Sequence, residues 1–352
     1  MPKDTMTPKE RWLAVVKREK PDRVPMTYRG TGEATQKLMK HLGCNSINEV
    51  FERLHIDRRA GARPQYVGPQ IPEGEDLYGR RFRAIEYEGG TYRECCHHPL
   101  AGYETVAEID RNYTWPTADW FDYSGIPEQI DGVEDRIIMG GGSEPFLVYK
   151  DLRGDEQAFI DLVENPDIVH YGLEKLYGYC YENARRIYEQ IPGKVTVASV
   201  AEDMGAQDRL LYSLARLREY FFPYMKRMID LAHEAGAFVN THSDGSIREL
   251  LPDLVDMGVD IVNPVQWRCK GMEREGLKRD FGDHLVFDGG VDNQYTIPFG
   301  TVEEVRQEVR DNIRILGAGG GYIMGPCHNV QVVGPAENVV AMYETGYEEG
   351  WM

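Results

Sequence analysis

The chain has 352 residues, of which 41% are hydrophobic, and its formal net charge is −18 at pH 7. This length is sufficient for one large α/β barrel or for two ordinary domains. The negative charge and the lack of a Lys/Arg-rich block argue against nucleic acid and anionic membranes as partners, and they favour a small molecule or a protein with a basic face.

The sequence also bears on where the protein is located. Its apolar runs are shorter than the roughly 18 residues that a membrane helix needs. Residues 1–20 lack the apolar core of a signal peptide. Six cysteines in a chain of this length do not form a disulfide framework. We therefore expect a cytoplasmic protein with no membrane contact.

The N-terminal half alternates loosely between predicted helices and strands. A helix precedes the first strand, "RVPMTYRG" at 23–30, and further strands are predicted at "RRAGARPQY" (58–66) and "RIIMGGG" (136–142). Residues 78–100 alternate in polarity around Gly89–Gly90, a pattern that is typical of a β-hairpin. We expect this hairpin to be an insertion that covers the mouth of a barrel.

From about residue 195 the pattern becomes regular, with five short apolar runs separated by segments of helical periodicity. The runs are "KVTVASVAED", "AFVNTHSDG", "DIVNPVQW", "HLVFDGGVD" and "GGYIMGPCHN". Strands that alternate with helices predict a parallel sheet. With the three upstream strands the total is eight, which predicts a (β/α)₈ TIM barrel formed by one domain over residues 1–352.

Each of the five regular strands ends in polar side chains. In a βα barrel the carboxyl ends of the strands and the loops after them build the active site, so this repetition predicts an enzyme. Helix capping is the alternative role for each residue taken singly, and Asp244 with Ser246 would suit it. The strand-end residues are Glu202 and Asp203, His242 and Asp244, Asn263 and Gln266, Asp288 and Asp292, and Cys327 and His328.

His242 and Asp244 are two positions apart at the end of a predicted strand. In an extended segment such residues project to the same side and could bind one ion. Cys327 at another strand end would add a third ligand and leave a fourth position open, as in catalytic zinc sites. Zinc suits this N, O, S set best, but His-x-Asp is a common spacing and does not by itself establish a metal site.

Six motifs, in the same order along nearly the whole chain, resemble the uroporphyrinogen decarboxylase superfamily. They are "TPKERWLAVVKREKPDRVPM", "AEDMG", "THSDG", "VNPVQ", "FDGGVDNQYTIPFGTVEEV" and "GPCHN". The superfamily includes cofactor-free porphyrinogen decarboxylases and zinc-dependent, corrinoid-linked methyltransferases, both on TIM barrels. The shared fold does not decide between these two activities.

The decarboxylase branch resembles this chain less well. Its members carry an arginine-rich "RQAGR"-type stretch that binds the carboxylates of the tetrapyrrole, whereas this chain reads "YRGTGEATQ" there, with Arg29 alone. One arginine matches eight carboxylates poorly. The resemblance therefore implies a methyltransferase more than a decarboxylase.

In the methyltransferase branch a His-x-Cys pair and a distant Cys bind zinc, and the corresponding positions here are His242, Asp244 and Cys327. A carboxylate in place of a thiolate makes zinc more Lewis-acidic, which would suit activation of an ether oxygen. The resemblance thus implies transfer of a methyl group from a small methylated substrate, such as an aryl methyl ether, to Co(I) of a separate corrinoid protein. The exchange could also mean that the metal has been lost.

The same resemblance suggests roles for the other candidate residues. Glu202 would be a fourth zinc ligand or a proton donor, and His328 would orient a ligand or act as an acid. Tyr28, Arg29, Gln266 and Asp288 are expected to bind substrate. Three alternatives stay open: a metal-independent decarboxylase, a methyl-corrinoid:thiol or folate methyltransferase, and a barrel that binds a metabolite without catalysis.

Overall fold

The computed structural model describes residues 3–87 and 90–352. The strands over these residues are β1 Arg59–Gly61, β2 Gln65–Tyr66, β3 Arg81–Tyr87, β4 Gly90–His97, β5 Phe121–Asp122, β6 Ile137–Ser143, β7 Val197–Val200, β8 Phe238–His242, β9 Ile261–Asn263, β10 Val286–Val291 and β11 Tyr322–Pro326. The α-helices are α1 Pro8–Val16, α2 Gly32–Leu42, α3 Ile47–Arg53, α4 Val106–Asn112, α5 Ile126–Ile130, α6 Pro145–Arg153, α7 Asp155–Glu164, α8 Pro166–Gln190, α9 Leu214–Tyr220, α10 Phe222–Glu234, α11 Leu251–Met257, α12 Arg274–Phe281, α13 Thr296–Phe299, α14 Val302–Leu316 and α15 Ala336–Glu349. Two short 3-10 helices span Ala118–Trp120 and Arg248–Leu250.

Local sequence signals set the starts of several helices. α1, α4 and α14 each begin after a threonine whose hydroxyl accepts a hydrogen bond from the backbone of a glutamate three residues later, and that glutamate bonds back to the threonine. These reciprocal bonds satisfy backbone N–H groups that the helix itself leaves free. Among the described residues, no helix has the length and apolarity that crossing a bilayer requires.

The main sheet of the described residues has seven parallel strands in the order β1-β6-β7-β8-β9-β10-β11. An extended segment at 24–27 lies beside β11, because Thr27 N donates to Met324 O at 2.8 Å and Met324 N donates to Pro25 O at 2.8 Å. On its other side Met26 O accepts a hydrogen bond from Asp57 N, just before β1. The sheet therefore curls into a TIM-barrel-like arrangement, which confirms the predicted α/β class with parallel strands.

α1 closes the amino-terminal end of this barrel. Trp12, Val15 and Val16 pack against apolar side chains near the starts of five strands. Those side chains belong to Ile137, Val197, Ile261, Val286 and Ile323. With this end filled by apolar residues, the carboxyl end of the barrel is the one that can receive a ligand.

β3 and β4 pair with each other antiparallel, outside the main sheet. The Tyr87 hydroxyl donates to Gln331 Oε1 at 2.8 Å, so the pair reaches the loop after β11 at the carboxyl end of the barrel. The turn predicted at Gly89–Gly90 includes Gly89, which lies outside the described residues.

A buried ionic network joins α1 to the first extended segment. The Asp57 carboxylate accepts hydrogen bonds from Arg11, Arg23 and the backbone N of Met26. Arg11, Arg23 and Asp57 are each at most 3% exposed. Because the charges are removed from water, the network is stable only while each charge keeps its partner.

We expect Asp57→Asn to reduce the free energy of unfolding by about 3 kcal/mol or more, because it removes the buried counter-charge of two guanidinium groups and leaves them with the more exposed Asp4 as their shared partner. Urea denaturation measures this loss. Asp119→Asn is the control, since Asp119 pairs with Arg186 at the surface and is 76% exposed, where ion pairs contribute little. Equal, small effects of the two substitutions would contradict the role assigned to the network.

Candidate functional site

Three side chains meet at the carboxyl end of the main sheet. His242 is the last residue of β8, Asp244 follows two residues later, and His328 lies just beyond β11. Asp244 Oδ1 is 4.0 Å from His242 Nε2, and Asp244 Oδ2 is 3.8 Å from His328 Nε2. One ligand atom from each of the three residues lies within 4.8 Å of the others, so the cluster could hold a metal ion.

Neighbouring strands fix the orientation of His242. Its Nδ1 lies 2.7 Å from Asn263 Oδ1, at the end of β9, and Arg29 donates to the same oxygen at 3.0 Å. Since Asn263 Oδ1 can only accept, Nδ1 is the donor, and in the neutral imidazole Nε2 has the free electron pair on the side of Asp244. A histidine that binds a metal through one nitrogen commonly donates from the other nitrogen in this way.

The loop after β8 holds Asp244 in place. Asp244 N donates to Asp203 Oδ1 at 3.2 Å, and Gly245 N donates to Gln266 Oε1 at 2.6 Å. Gly205 lets the neighbouring loop approach closely, because a Cβ at that position would lie 2.5 Å from Asp244 O. Gln266, predicted to bind substrate, thus positions the loop that carries Asp244.

The chemistry of Asp244 suits a cation. Burial raises the pKa of its carboxyl above the usual value. Its Oδ1 is buried and has no hydrogen-bond partner among the described residues. A buried oxygen of this kind is costly unless something binds it, and a metal ion held with His242 and His328 would do so.

Helix capping does not explain Asp244. The 3-10 helix Arg248–Leu250 and α11 both begin without a side-chain cap, and the Ser246 hydroxyl donates instead to Lys270 O at 2.7 Å. Asp292 is different, because its carboxylate accepts from the backbone N of Gln294, Tyr295 and Thr296 at the start of α13. Helix capping therefore explains Asp292 but not Asp244.

The structure does not bring Cys327 to the cluster. Its thiol is buried and donates to Val265 O at 3.1 Å. Burial raises the pKa of this thiol well above its usual range, which disfavours the thiolate that zinc binds. The next residue, His328, is the one that faces Asp244, since its Nε2 lies 3.8 Å from Asp244 Oδ2. The predicted N, O, S set is thus replaced by an N, O, N set.

Glu202 also lies away from the cluster. Its two carboxyl oxygens accept a hydrogen bond from Phe146 N at 3.0 and 3.1 Å, and Tyr177 donates to Oε1 at 2.9 Å. Glu202 is 1% exposed, and this burial raises its pKa to about 8. The side chain joins the end of β7 to α6 and α8, and the structure does not group it with His242, Asp244 and His328, where the sequence predicted a fourth ligand.

The remaining predicted residues divide between the barrel interior and its exterior. Arg29 lies inside, bonded to Asn263. Asp288 is buried inside, where it accepts from the Thr27 hydroxyl at 3.3 Å. Tyr28 lies outside, since its hydroxyl bonds Thr35 at 2.9 Å and its ring packs edge-on against Phe51. The structure therefore leaves Tyr28 with a packing role.

Two residues of the barrel were not predicted from the sequence. Glu144 follows β6 and precedes α6, and its pKa is raised by burial and by Asp203. Arg59 lies on β1, beside Ile137 of β6 in the register. Glu144 follows the predicted strand in "RIIMGGGSE" in the same way that polar residues follow the five regular strands. This position is the sequence signal that identifies it.

Comparison with known proteins places the chain in a family. Residues 132–348, more than half of the chain, match the family described as uroporphyrinogen decarboxylase (URO-D). The chain belongs to this family. A uroporphyrinogen decarboxylase from Anaeromyxobacter dehalogenans (strain 2CP-C) is 27% identical over 241 residues, which is 64% of this chain. The match spans 65% of that relative's length.

A solved structure of a methyltransferase from Methanosarcina mazei is similar to the whole chain. The TM-score is 0.65 with 18% sequence identity, and the match covers 97% of this chain and 99% of the other. At 18% sequence identity, this similarity shows that the two proteins share a fold. It confirms that the URO-D family member described here has the TIM-barrel-like architecture expected from its sequence.

We expect Glu202 to make the protein less stable as the pH rises. Its native pKa of about 8 lies above the ordinary value of 4.5, so the native state binds this proton more tightly than the unfolded state does. The stability that this tighter proton binding contributes is fully present below about pH 4.5 and is lost as the pH rises through 8. Glu202→Gln should therefore lose less stability between pH 6 and pH 8.5 than the wild type, as measured by urea denaturation.

Glu182→Gln is the control for this experiment. The pKa of Glu182 is lowered to about 2 by hydrogen bonds from Arg185 and Arg186, so it does not titrate between pH 6 and pH 8.5. This variant should follow the wild type. If Glu202→Gln does so too, Glu202 is not the titrating group.

Proposed function

We propose that this protein is a single-domain cytoplasmic enzyme that transfers a methyl group from a small methylated substrate, an aryl methyl ether, to Co(I) of a separate corrinoid protein. The observation that carries the proposal is the cluster of His242, Asp244 and His328 at the open end of the barrel. Membership of the URO-D family and the fold shared with a methyltransferase support it.

Zinc is the metal that fits the cluster best. His242 Nε2, a carboxylate oxygen of Asp244 and His328 would hold it, with a position left open for substrate. When bound, zinc would stabilise the negative charge that develops on the ether oxygen as its bond to the methyl carbon breaks. A set without thiolate suits this step, because it leaves the ion more Lewis-acidic than a cysteine-rich set would.

The reaction breaks the methyl C–O bond and forms a C–Co bond with the electron pair of Co(I), while the leaving oxygen keeps the C–O pair. That oxygen then takes up a proton. We assign this role to Glu144, because it directly follows β6 at the carboxyl end of the barrel, and burial raises the pKa of its carboxyl. Glu202, predicted for the role from the sequence, is enclosed between Phe146 and Tyr177.

A second candidate function is metal-independent decarboxylation. The observation that favours it is the 27% identity to a curated uroporphyrinogen decarboxylase. The two functions differ in their need for metal and in their products.

We expect the purified protein to contain about one zinc per chain. His242→Ala, Asp244→Ala and His328→Ala should each lose the metal, because each removes one of three ligands, whereas Cys327→Ser should keep it. Elemental analysis measures the content. His233→Ala is the matched control, since His233 pairs with Asp260 at 2.9 Å on an outer helix. Zinc that persists in both His242→Ala and His328→Ala would refute the ligand set.

Methyl transfer is tested by mixing the protein with an aryl methyl ether and a reduced corrinoid protein and following the absorbance of methyl-cobalt. Asp244→Ala should slow the reaction by about 10²–10³-fold, as expected when a group that stabilises the transition state is lost. Asp244→Cys should keep zinc yet react more slowly than the wild type, because a thiolate donates charge to the ion.

If the protein is instead a metal-independent decarboxylase, the same experiments should give a different result. It would release CO₂ from a porphyrinogen substrate after treatment with a chelator, and it would form no methyl-cobalt. Normal methyl transfer by Asp244→Ala would exclude Asp244 from the mechanism.

A further inference from the structure

The side-chain amide of Asn263 has two possible orientations, which place opposite demands on His242. Asn263 is 3% exposed, so its amide must find hydrogen-bond partners within the protein. Its Oδ1 lies 2.7 Å from His242 Nδ1, and its Nδ2 donates to the backbone oxygen of Asp288 at 3.4 Å. An amide has an acceptor at one end and donors at the other, so a half-turn would present a donor to the imidazole in place of an acceptor.

The reversed amide would remove His242 from the ligand set. Asn263 Nδ2 would then donate to His242 Nδ1, and the proton of the neutral imidazole would be on Nε2. Nε2 is the nitrogen that lies 4.0 Å from Asp244 Oδ1. A protonated Nε2 has no electron pair to give to a metal and can only donate toward Asp244. The orientation of one buried amide therefore decides whether His242 can be a ligand.

Arg29 is the residue that distinguishes the two orientations most strongly. Its Nη1 donates to Asn263 Oδ1 at 3.0 Å, and a guanidinium group has donors only. In the reversed amide this N–H would face another N–H, and Oδ1 would face the backbone oxygen of Asp288. Arg29 Nη1 is also 3.5 Å from His242 Nδ1. This longer distance is the one expected for two donors that share the oxygen of Asn263.

The backbone of Arg29 is held by the segment that carries His328. Arg29 O accepts a hydrogen bond from Val330 N at 3.0 Å, and Thr31 N donates to Val330 O at 3.0 Å. Val330 is two residues beyond His328. The main chain of Arg29 is thus bonded next to one histidine of the cluster, while its side chain reaches the amide that contacts the other histidine. Because the guanidinium is charged, its hydrogen bond to the amide is stronger than a neutral one.

We propose that Arg29 is a positioning residue, which fixes the amide of Asn263 and so holds His242 in the tautomer that binds a metal through Nε2. The inference rests on the proposed function, because it takes the cluster of His242, Asp244 and His328 to be a metal site. It gives Arg29 a role that needs no contact with substrate.

The tautomer of His242 is measured by NMR on the metal-free protein with ¹⁵N-labelled histidine, at about pH 8, where an imidazole of ordinary pKa is neutral. The spectrum of His242→Gln identifies the signals of His242. In the wild type, Nδ1 should carry the proton and Nε2 should not. In Arg29→Met, a share of the molecules should carry the proton on Nε2. A wild-type His242 that is protonated on Nε2 would overturn the proposal.

Zinc affinity is the second readout, measured by competition with a chromogenic chelator. Arg29→Met should weaken zinc binding by about 10- to 100-fold, the usual effect of removing a partner that orients a metal ligand. Arg29→Lys should recover part of this loss, because its ammonium group is still a donor for Asn263 Oδ1. Arg58→Met is the control, since Arg58 pairs with Glu52. An Arg29→Met protein that melts like the wild type and keeps both the tautomer and the affinity would refute the role of Arg29.

Two substitutions of Asn263 test the same step without changing Arg29, and they decide the matter if Arg29→Met does not fold. Asn263→Asp keeps an acceptor beside His242 Nδ1 and should keep the tautomer and the zinc affinity. Asn263→Leu removes the acceptor and should lose both. A role in packing alone predicts equal effects, so two variants with the same tautomer and affinity would contradict the proposal.

The outcome is separable from the proposed function. A wild type that binds no zinc but has the proton on His242 Nδ1 rejects the metal assignment and leaves the role of Arg29 in setting the tautomer. A wild type that binds zinc but has the proton on Nε2 in its metal-free form rejects only the role of Arg29.

Discussion

The buried carboxylate of Asp57 is the constraint on which the barrel depends. It accepts hydrogen bonds from Arg11 of α1, from Arg23 and from the backbone of Met26, while the backbone N of Asp57 itself donates to Met26 O. One residue thus connects the helix that closes the barrel, the extended segment beside β11 and the start of β1. Hydrogen bonds that involve charged groups are stronger than neutral ones, so the closure of the sheet is tied to this buried network of Arg11, Arg23 and Asp57.

This constraint also sets the geometry of the site. Arg29 is three residues beyond Met26, and Arg59 is two residues beyond Asp57, so the two arginines lie on the two segments that Asp57 joins. Side chains alternate across an extended segment, and the register between the segments determines which of them face the interior. A shift of one residue would turn Arg59 outward. The structural network at the base of the barrel therefore positions the guanidinium groups in the interior wall.

Much of the fold and part of the candidate site could be predicted from the sequence, because the relevant signals are local. The alternation of apolar runs and helical segments predicts the parallel sheet, and polar residues at strand ends predict the meeting of His242 and Asp244. The role of Cys327 could not be predicted in this way. After Pro326 the strand has ended, and whether Cys327 or His328 faces the mouth depends on hydrogen bonds from residues far away in the chain, such as that to Val265. Likewise, the enclosure of Glu202 by Phe146 and Tyr177 arises from packing between separate helices.

The charged groups of the barrel are segregated between its mouth and its interior wall. The overall charge is −18, and carboxyl groups of Glu144, Asp203 and Asp244 lie around the mouth, where their mutual repulsion contributes to the raised pKa values of Glu144 and Asp244. The interior wall instead carries the guanidinium groups of Arg29 and Arg59, and Asp288 Oδ2 lies 3.9 Å from Arg59 Nη2. A cation held by His242, Asp244 and His328 would reduce the repulsion among these carboxyl groups, so the charge distribution favours metal binding at the mouth of the barrel.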